Sequence, residues 1–350
     1  MSRLLAPLFF LLSLTPLAAQ ENITVRTNVD YPAVALRVIE EFAEPRYAAL
    51  LTRAQAQREA WTTFCAADPS EDNFNQLTLQ FVEAVNAWSG VEILRYGPVS
   101  EDFRYERIAY WPERKNDVQR GLQKLLSEND VLTPEGMRAK SVAVQGLSAL
   151  ERLLYDNDNR ASLLAKGAGG KRRCAAGLAI AGNLENIAKD IVGAWPAVKE
   201  QMKVAGSTIP REAVTRFATD LLTIYQVTGD LKLDAPMGKT PAESKPKSAQ
   251  WWRSGLSSQT LALNLQSAAD LSWIILGPGD EGTNVVAVIE TAQRLADNLP
   301  LPLSEMVTDQ VQRRNIFLLR DAVRGARDLS GTYVPPALGI TLGFNSLDGD

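Results

Sequence analysis

Apolar residues recur at spacings of three and four along most of this chain. The runs are bounded by proline, glycine or small polar residues. That period marks amphipathic helices, because residues three and four apart share one helical face. Pro32 opens a short helix to about Phe42, which the pattern stops near Pro45. The next helix ends before Pro69 and carries Leu50, Leu51, Ala54, Trp61 and Phe64 on one stripe. Ser70 is placed to cap a third, whose buried face reads Leu77, Phe81, Ala84, Val85 and Trp88. Val118, Leu122, Leu125 and Leu126 define a short helix. Thr133-Pro134-Glu135 offers a hydroxyl cap, a first-turn proline and a first-turn acid. One helix is predicted from there to about Tyr155, with Val144, Leu147, Leu150 and Leu154 inward. After a break at Gly167 to Gly170, a long helix over 171–202 carries Cys174, Leu178, Ala181, Leu184, Ile187, Ile191 and Trp195. Further helices are predicted over 211–229, from the Trp251-Trp252 region to Leu276, and over 284–298 and 304–330. The stretches 97–115 and 234–247 read as irregular. No period-two run competes. The expected fold is all-α, with two helical bundles side by side. They cover 28–205 and 206–350, with the boundary at Gly206 to Pro210.

The N-terminus reads differently. Arg3 gives a basic start, Leu4 to Leu14 an apolar core, and Leu17-Ala18-Ala19 a small-residue cleavage site. Residues 1–19 are therefore expected to be a cleavable signal peptide that directs the chain to the periplasm. The apolar run is short for a membrane span, and no cysteine follows it to carry a lipid. No transmembrane segment is expected after cleavage. In an oxidising compartment Cys65 and Cys174, the only two cysteines, are expected to pair; two buried free thiols are the alternative. A redox site would more naturally show C-x-x-C.

Composition narrows the chemistry. The 350 residues hold 37 Lys+Arg, 41 Asp+Glu and no histidine. The net charge of −4, with both signs interspersed, argues against nucleic acid as a partner. Without histidine there is no Ser-His-Asp triad, no Cys-His pair, no H-E-x-x-H zinc site and no imidazole pH switch. Any metal must be held by oxygen donors, which favours hard cations. Glu151 and Asp348 are the candidate carboxylates. Gly277 to Gly282 lacks the Lys-Ser/Thr ending of a phosphate loop and reads as a turn between helices. Lys171-Arg172-Arg173 sits at a helix start, where a basic run opposes the helix dipole, and reads as a solvated turn.

The segment Gly146-Leu147-Ser148-Ala149-Leu150-Glu151 is the main site candidate. Ser148 and Glu151 share a helix face, and Gly146 removes a side chain beside them, which lets a backbone or a ligand approach. Inside a helix that glycine costs about 1 kcal/mol. A packing glycine beside a salt-bridged glutamate is the alternative reading.

This segment resembles the signature helix of the imelysin family, exported bacterial proteins described as iron-regulated or insulin-cleaving. The family hallmark is G-x-H-x-x-E; here serine replaces the histidine at Ser148. Trp111-Pro112-Glu113-Arg114-Lys115, Trp252-Arg253-Ser254-Gly255 and Gly343-Phe344-Asn345-Ser346 with Asp348-Gly349-Asp350 are also similar to its periplasmic branch. The resemblance implies two helical bundles with the signature helix lining a cleft between them. It also implies a metallopeptidase classification and iron or another divalent cation as cofactor. The lost histidine removes one supposed metal ligand. The expected function is therefore non-catalytic binding of a ligand, or of a periplasmic or outer-membrane protein, linked to iron homeostasis. The expected site is Gly146, Ser148, Glu151, Trp111, Arg114, Arg253 and Ser254. The alternative is a carboxylate-based metallopeptidase.

Overall fold

The computed structural model describes residues 25–341 apart from Lys166. The signal-peptide reading, Asp348 and the closing 343–350 segment lie outside those residues. Among the described residues the secondary structure is helical, with no strand.

The first helices are α1 (Tyr31–Arg37), α2 (Glu44–Ala66), α3 (Glu71–Ser89), α4 (Arg104–Ile108) and α5 (Asp117–Ser127). Then come α6 (Leu147–Tyr155), α7 (Asn157–Leu164) and the long α8 (Ala168–Met202). The second half holds α9 (Ile209–Gln226), α10 (Ala235–Met237), α11 (Ser257–Leu276), α12 (Asp280–Asp297), α13 (Leu303–Met306) and α14 (Arg313–Leu338). In the first half α2 packs on α3 and α8; in the second, α12 packs on α11 and α14. Contacts of α3 with α11 and of α1 with α9 join the halves. Buried apolar residues from both, including Trp61, Trp88, Trp195, Phe217 and Ile316, belong to one continuous core.

Pro45 does not stop a helix. The chain stays helical from α1 to α2 through a π turn, Val38–Ala43, and a second π turn, Val227–Asp234, joins α9 to α10. Each wide turn ends two residues before a proline, Pro45 or Pro236. Glu44 N–H donates to Ile39 O and Ala235 N–H to Asp230 O, five residues back rather than four. A proline ring clashes with the carbonyl four residues earlier, and widening the turn moves that carbonyl away. For the same reason the 234–247 stretch begins helical before it turns irregular.

The helix expected from Thr133 to Tyr155 is also divided. Thr133 Oγ1 does accept from Gly136 N–H at 3.1 Å, but it starts a 3₁₀ turn, Glu135–Ala139. A second 3₁₀ turn, Val142–Val144, precedes α6. Gln145 holds the break. Its Oε1 accepts from Arg107 Nε, its Nε2 donates to Lys140 O, and its carbonyl accepts from Asn183 Nδ2, each at 2.7 Å. These tertiary bonds outweigh the modest local preference for continuing the helix.

Cys65 and Cys174 form a disulfide, Cα to Cα 5.7 Å, that fastens the end of α2 to the first turns of α8. Deeper in that seam α8 presents Gly177 to Trp61, where a Cβ would meet the indole at 2.4 Å. The basic run at the head of α8 is not a solvated turn. Arg172 donates to Leu125 O and Asp130 O, both at 2.6 Å, and Arg173 Nε to Asn159 Oδ1 at 2.9 Å. These contacts offset the unfavourable dipole.

Candidate functional site

A cleft of about 160 Å³ opens beside α6. One wall is the Tyr110–Asn116 segment, which contains a cis Trp111–Pro112 bond; the other is Lys247–Arg253. Ser148, Glu151 and Arg152 of α6 form its floor.

Gly146 sets the position of that floor. It is not inside a helix, as the periodicity implied, but is the residue just before α6. A Cβ there would lie 2.3 Å from the carbonyl oxygens of both Arg107 and Ile108. The glycine therefore admits a neighbouring backbone, and no helix-interior penalty applies. Ser148, two residues on, donates its hydroxyl to Tyr110 O at 3.3 Å.

Glu151 is buried, with 4 % of its surface exposed. Its Oε1 accepts from Ser254 N–H at 3.0 Å and Ser254 Oγ–H at 2.8 Å, and Arg253 Nη1 stands 4.0 Å from Oε2. Burial pushes its carboxyl above the usual range, while the Ser254 bonds and Arg253 pull it back. The charges continue as a chain. Arg253 Nε reaches Asp156 at 2.8 Å, Asp156 accepts from Arg152 at 3.1 Å, and Arg152 meets Glu113 at 3.2 Å. Glu113 in turn accepts from Val118 N–H at the start of α5. Both cleft walls are thus fastened to α6 by alternating charges. Trp111 Nε1 donates across the cleft to Ser248 O at 3.3 Å. Trp252 lies between Arg253, 4.3 Å from its ring centre, and Lys247 at 5.6 Å.

The structure therefore places Gly146, Ser148, Glu151, Trp111, Arg253 and Ser254 around one feature. Arg114 is exposed and does not line the cleft.

A smaller chamber, about 30 Å³, adjoins the cleft and shares Trp111, Pro112 and Gln250 with it. It contains groups that the sequence pattern did not single out. Lys232 and Glu92, 3 % exposed each, are paired; Asn264 also accepts from Lys232, and Gln250 donates to Glu92 at 3.3 Å. Burial lowers the Lys232 pKa, and Glu92 opposes that shift. The only sequence trace was a charge inside an apolar run, as in Leu231-Lys232-Leu233.

Next to Arg95, which lines this chamber, Asp220 accepts from the backbone N–H groups of Arg95 at 2.8 Å and Tyr96 at 3.0 Å. Burial raises its carboxyl from 3.8 to about 6, against the pull of those N–H groups and of Arg216. A raised carboxyl binds a proton in the folded state before the unfolded state does. Its contribution to stability therefore grows as pH falls from about 6 toward 4, and is lost as pH rises through that window. Asp220→Asn is expected to remove about 2–3 kcal/mol of that pH-dependent difference. Urea titrations of both proteins at pH 4.5 and pH 7 measure it; parallel pH profiles contradict it.

The divalent metal implied by the family resemblance does not fit this donor set. Ser148 brings a neutral hydroxyl, Glu151 Oε1 is engaged twice by Ser254, and Arg253 Nη1 stands 4.0 Å from Oε2, so a dication would meet one carboxylate and a guanidinium in place of several anionic oxygens. Among the described residues no three His, Cys, Asp or Glu side chains are grouped to hold an ion.

Comparison with known proteins agrees with the helical architecture. The chain matches the imelysin family model over residues 43–314. An imelysin-like protein from Psychrobacter arcticum 273-4 superposes with a TM-score of 0.75 at 22% identity, covering 92% of this chain and 99% of that one. A putative iron-regulated protein A precursor from Parabacteroides distasonis ATCC 8503 gives a TM-score of 0.68 at 14% identity, covering 88% and 96%. A search of curated proteins finds no match. The family match spans most of the chain and takes in α6 with both walls of the cleft, so the chain belongs to the imelysin family.

Proposed function

We propose that this chain is an exported binding protein, with its ligand or periplasmic partner received in the cleft beside Ser148 and Glu151, and that it performs no peptidase chemistry there. The commitment of Glu151 to the Arg253-Ser254 loop carries this reading. A carboxylate whose Oε1 accepts twice from one loop and whose Oε2 faces an arginine of the same loop is a post that holds that loop in place. The likeness to an iron-regulated protein A precursor of Parabacteroides supports an iron-linked physiology. Among the described residues no helix is long and apolar enough to cross a membrane.

Glu151→Ala is expected to free the loop. Hydrogen exchange at the Ser254 amide should accelerate at least about tenfold, the equivalent of losing one net hydrogen bond of about 1.4 kcal/mol. Native mass spectrometry of the wild type, purified from its own periplasm, should show a retained small molecule or partner that the variant lacks. Stoichiometric divalent metal together with chelator-sensitive cleavage of a peptide library would replace this reading with the hydrolase.

A further inference from the structure

The chamber behind Trp111 holds more hydrogen-bond donors than the protein uses. Arg95 lines it, partly buried, between Tyr105 and the Glu92–Lys232 pair. Its guanidinium lies 4.4 Å from the Tyr105 ring centre, and Nη2 donates to the Tyr105 hydroxyl at 3.2 Å. Among the described residues no carboxylate comes within 4.0 Å of it, whereas the two arginines that line the cleft, Arg152 and Arg253, are both paired. A guanidinium has five N–H donors, and this one spends one on a side chain. Lys232 uses two of its three, on Glu92 and Asn264. Both Glu92 oxygens are occupied, by Lys232 and Gln250. The surplus in the chamber is therefore of N–H donors, while Glu92 and the nearby Asp220 balance the charges of Lys232 and Arg95. The remaining walls are aromatic and aliphatic: Trp88, Trp111, Ile224, Val227 and Leu231.

We infer that this chamber is a subsite for a small carboxylate, entering from the cleft past Trp111 and engaging Arg95 through its guanidinium fork. A planar carboxylate matches the fork in a two-point pair. About 30 Å³ of this kind of space admits roughly two waters, which is the scale of one carboxylate group. Apolar walls around a partly buried guanidinium strengthen such a pair and favour an organic anion over a fully hydrated one. The site is separate from Glu151 and Ser148, and its occupancy does not depend on the function proposed for them.

The test uses the full chain and sodium acetate, with sodium sulfate as a second arm, in a buffer free of other carboxylates. Titration calorimetry is expected to show saturable acetate binding. Tryptophan fluorescence should change with the same midpoint, because Trp88 and Trp111 form the walls. Arg95→Met should weaken acetate at least about tenfold, the loss of about 1.4 kcal/mol. Arg95→Lys, which keeps the charge without the fork, should weaken it several-fold. The exposed Arg314→Met serves as a control and should bind as the wild type does. No saturable response to either anion overturns the proposal. So does undiminished acetate binding by Arg95→Met, or by Arg95→Lys should the methionine variant not fold. Sulfate binding ten times tighter than acetate overturns the carboxylate assignment.

Discussion

Cys65→Ser is expected to cost the folded protein about 4–5 kcal/mol, more than any single side-chain truncation proposed for the cleft. The bond closes a loop of 109 residues, and the chain-entropy treatment gives about 4.7 kcal/mol for a loop near 100 residues. The two sulfurs tie α2 to α8, a seam that also contains the Trp61–Gly177 contact. The bond therefore fixes a helix pair that is already closely packed, and its chief effect is on the unfolded chain. Urea unfolding with and without reductant separates the possibilities. Reductant should lower the wild-type midpoint to that of the serine variant and leave the variant unmoved. A wild-type midpoint insensitive to complete reduction would show that the bond carries little of the stability.

The second large effect is expected at Lys232. Changing it to methionine keeps most of the volume but leaves the Glu92 carboxylate in the core with Gln250 as its side-chain partner. Breaking a buried pair from one side typically costs about 3–5 kcal/mol, because the remaining charge stays desolvated. Removing both charges behaves differently. Glu92→Gln combined with Lys232→Met should recover most of the loss, since two neutral groups need no mutual compensation. Denaturant titrations of the two single variants and the double variant give the coupling energy. A single-variant loss below about 1 kcal/mol, or a double variant worse than the sum of the singles, contradicts this account.

Much of the fold was legible because helical periodicity is a local signal. The stripes ending in Phe64 and Trp88, and the long one from Cys174 to Trp195, were readable from spacing alone. Ser70 does cap α3, accepting from Asn73 N–H at 3.2 Å. What the pattern missed was decided by distant atoms. Nothing near Pro45 announces a π turn in place of a stop. The break before α6 depends on Arg107, Ile108 and Asn183, remote in sequence from Gly146. Gly146 reads from the sequence as a place of close approach; what approaches is backbone, and the helix begins after it. At the cleft, the sequence points to both Glu151 and Ser254, but their hydrogen bonds span 103 residues of separation and leave no local signal. Glu92, Arg95 and Lys232 left almost no trace, since a lone charge in an apolar run is ordinary unless its partner is known.

The contact between the two ends of the described chain bears on the order of folding. Arg26 N–H donates to Pro336 O at 2.9 Å, and the Tyr31 hydroxyl to Leu338 O at 3.1 Å, across 307 residues. Contacts of such high sequence separation are entropically the slowest to form. During synthesis the N-terminal part of a chain leaves the ribosome first. The residues just before α1 thus emerge among the earliest but acquire their final neighbours only when the last turn of α14 is in place. Until α9 has been made, the apolar side of α1 that faces the second half has no partner. The nascent protein therefore carries an unfinished helix surface for most of its synthesis, which is the kind of surface that chaperones cover.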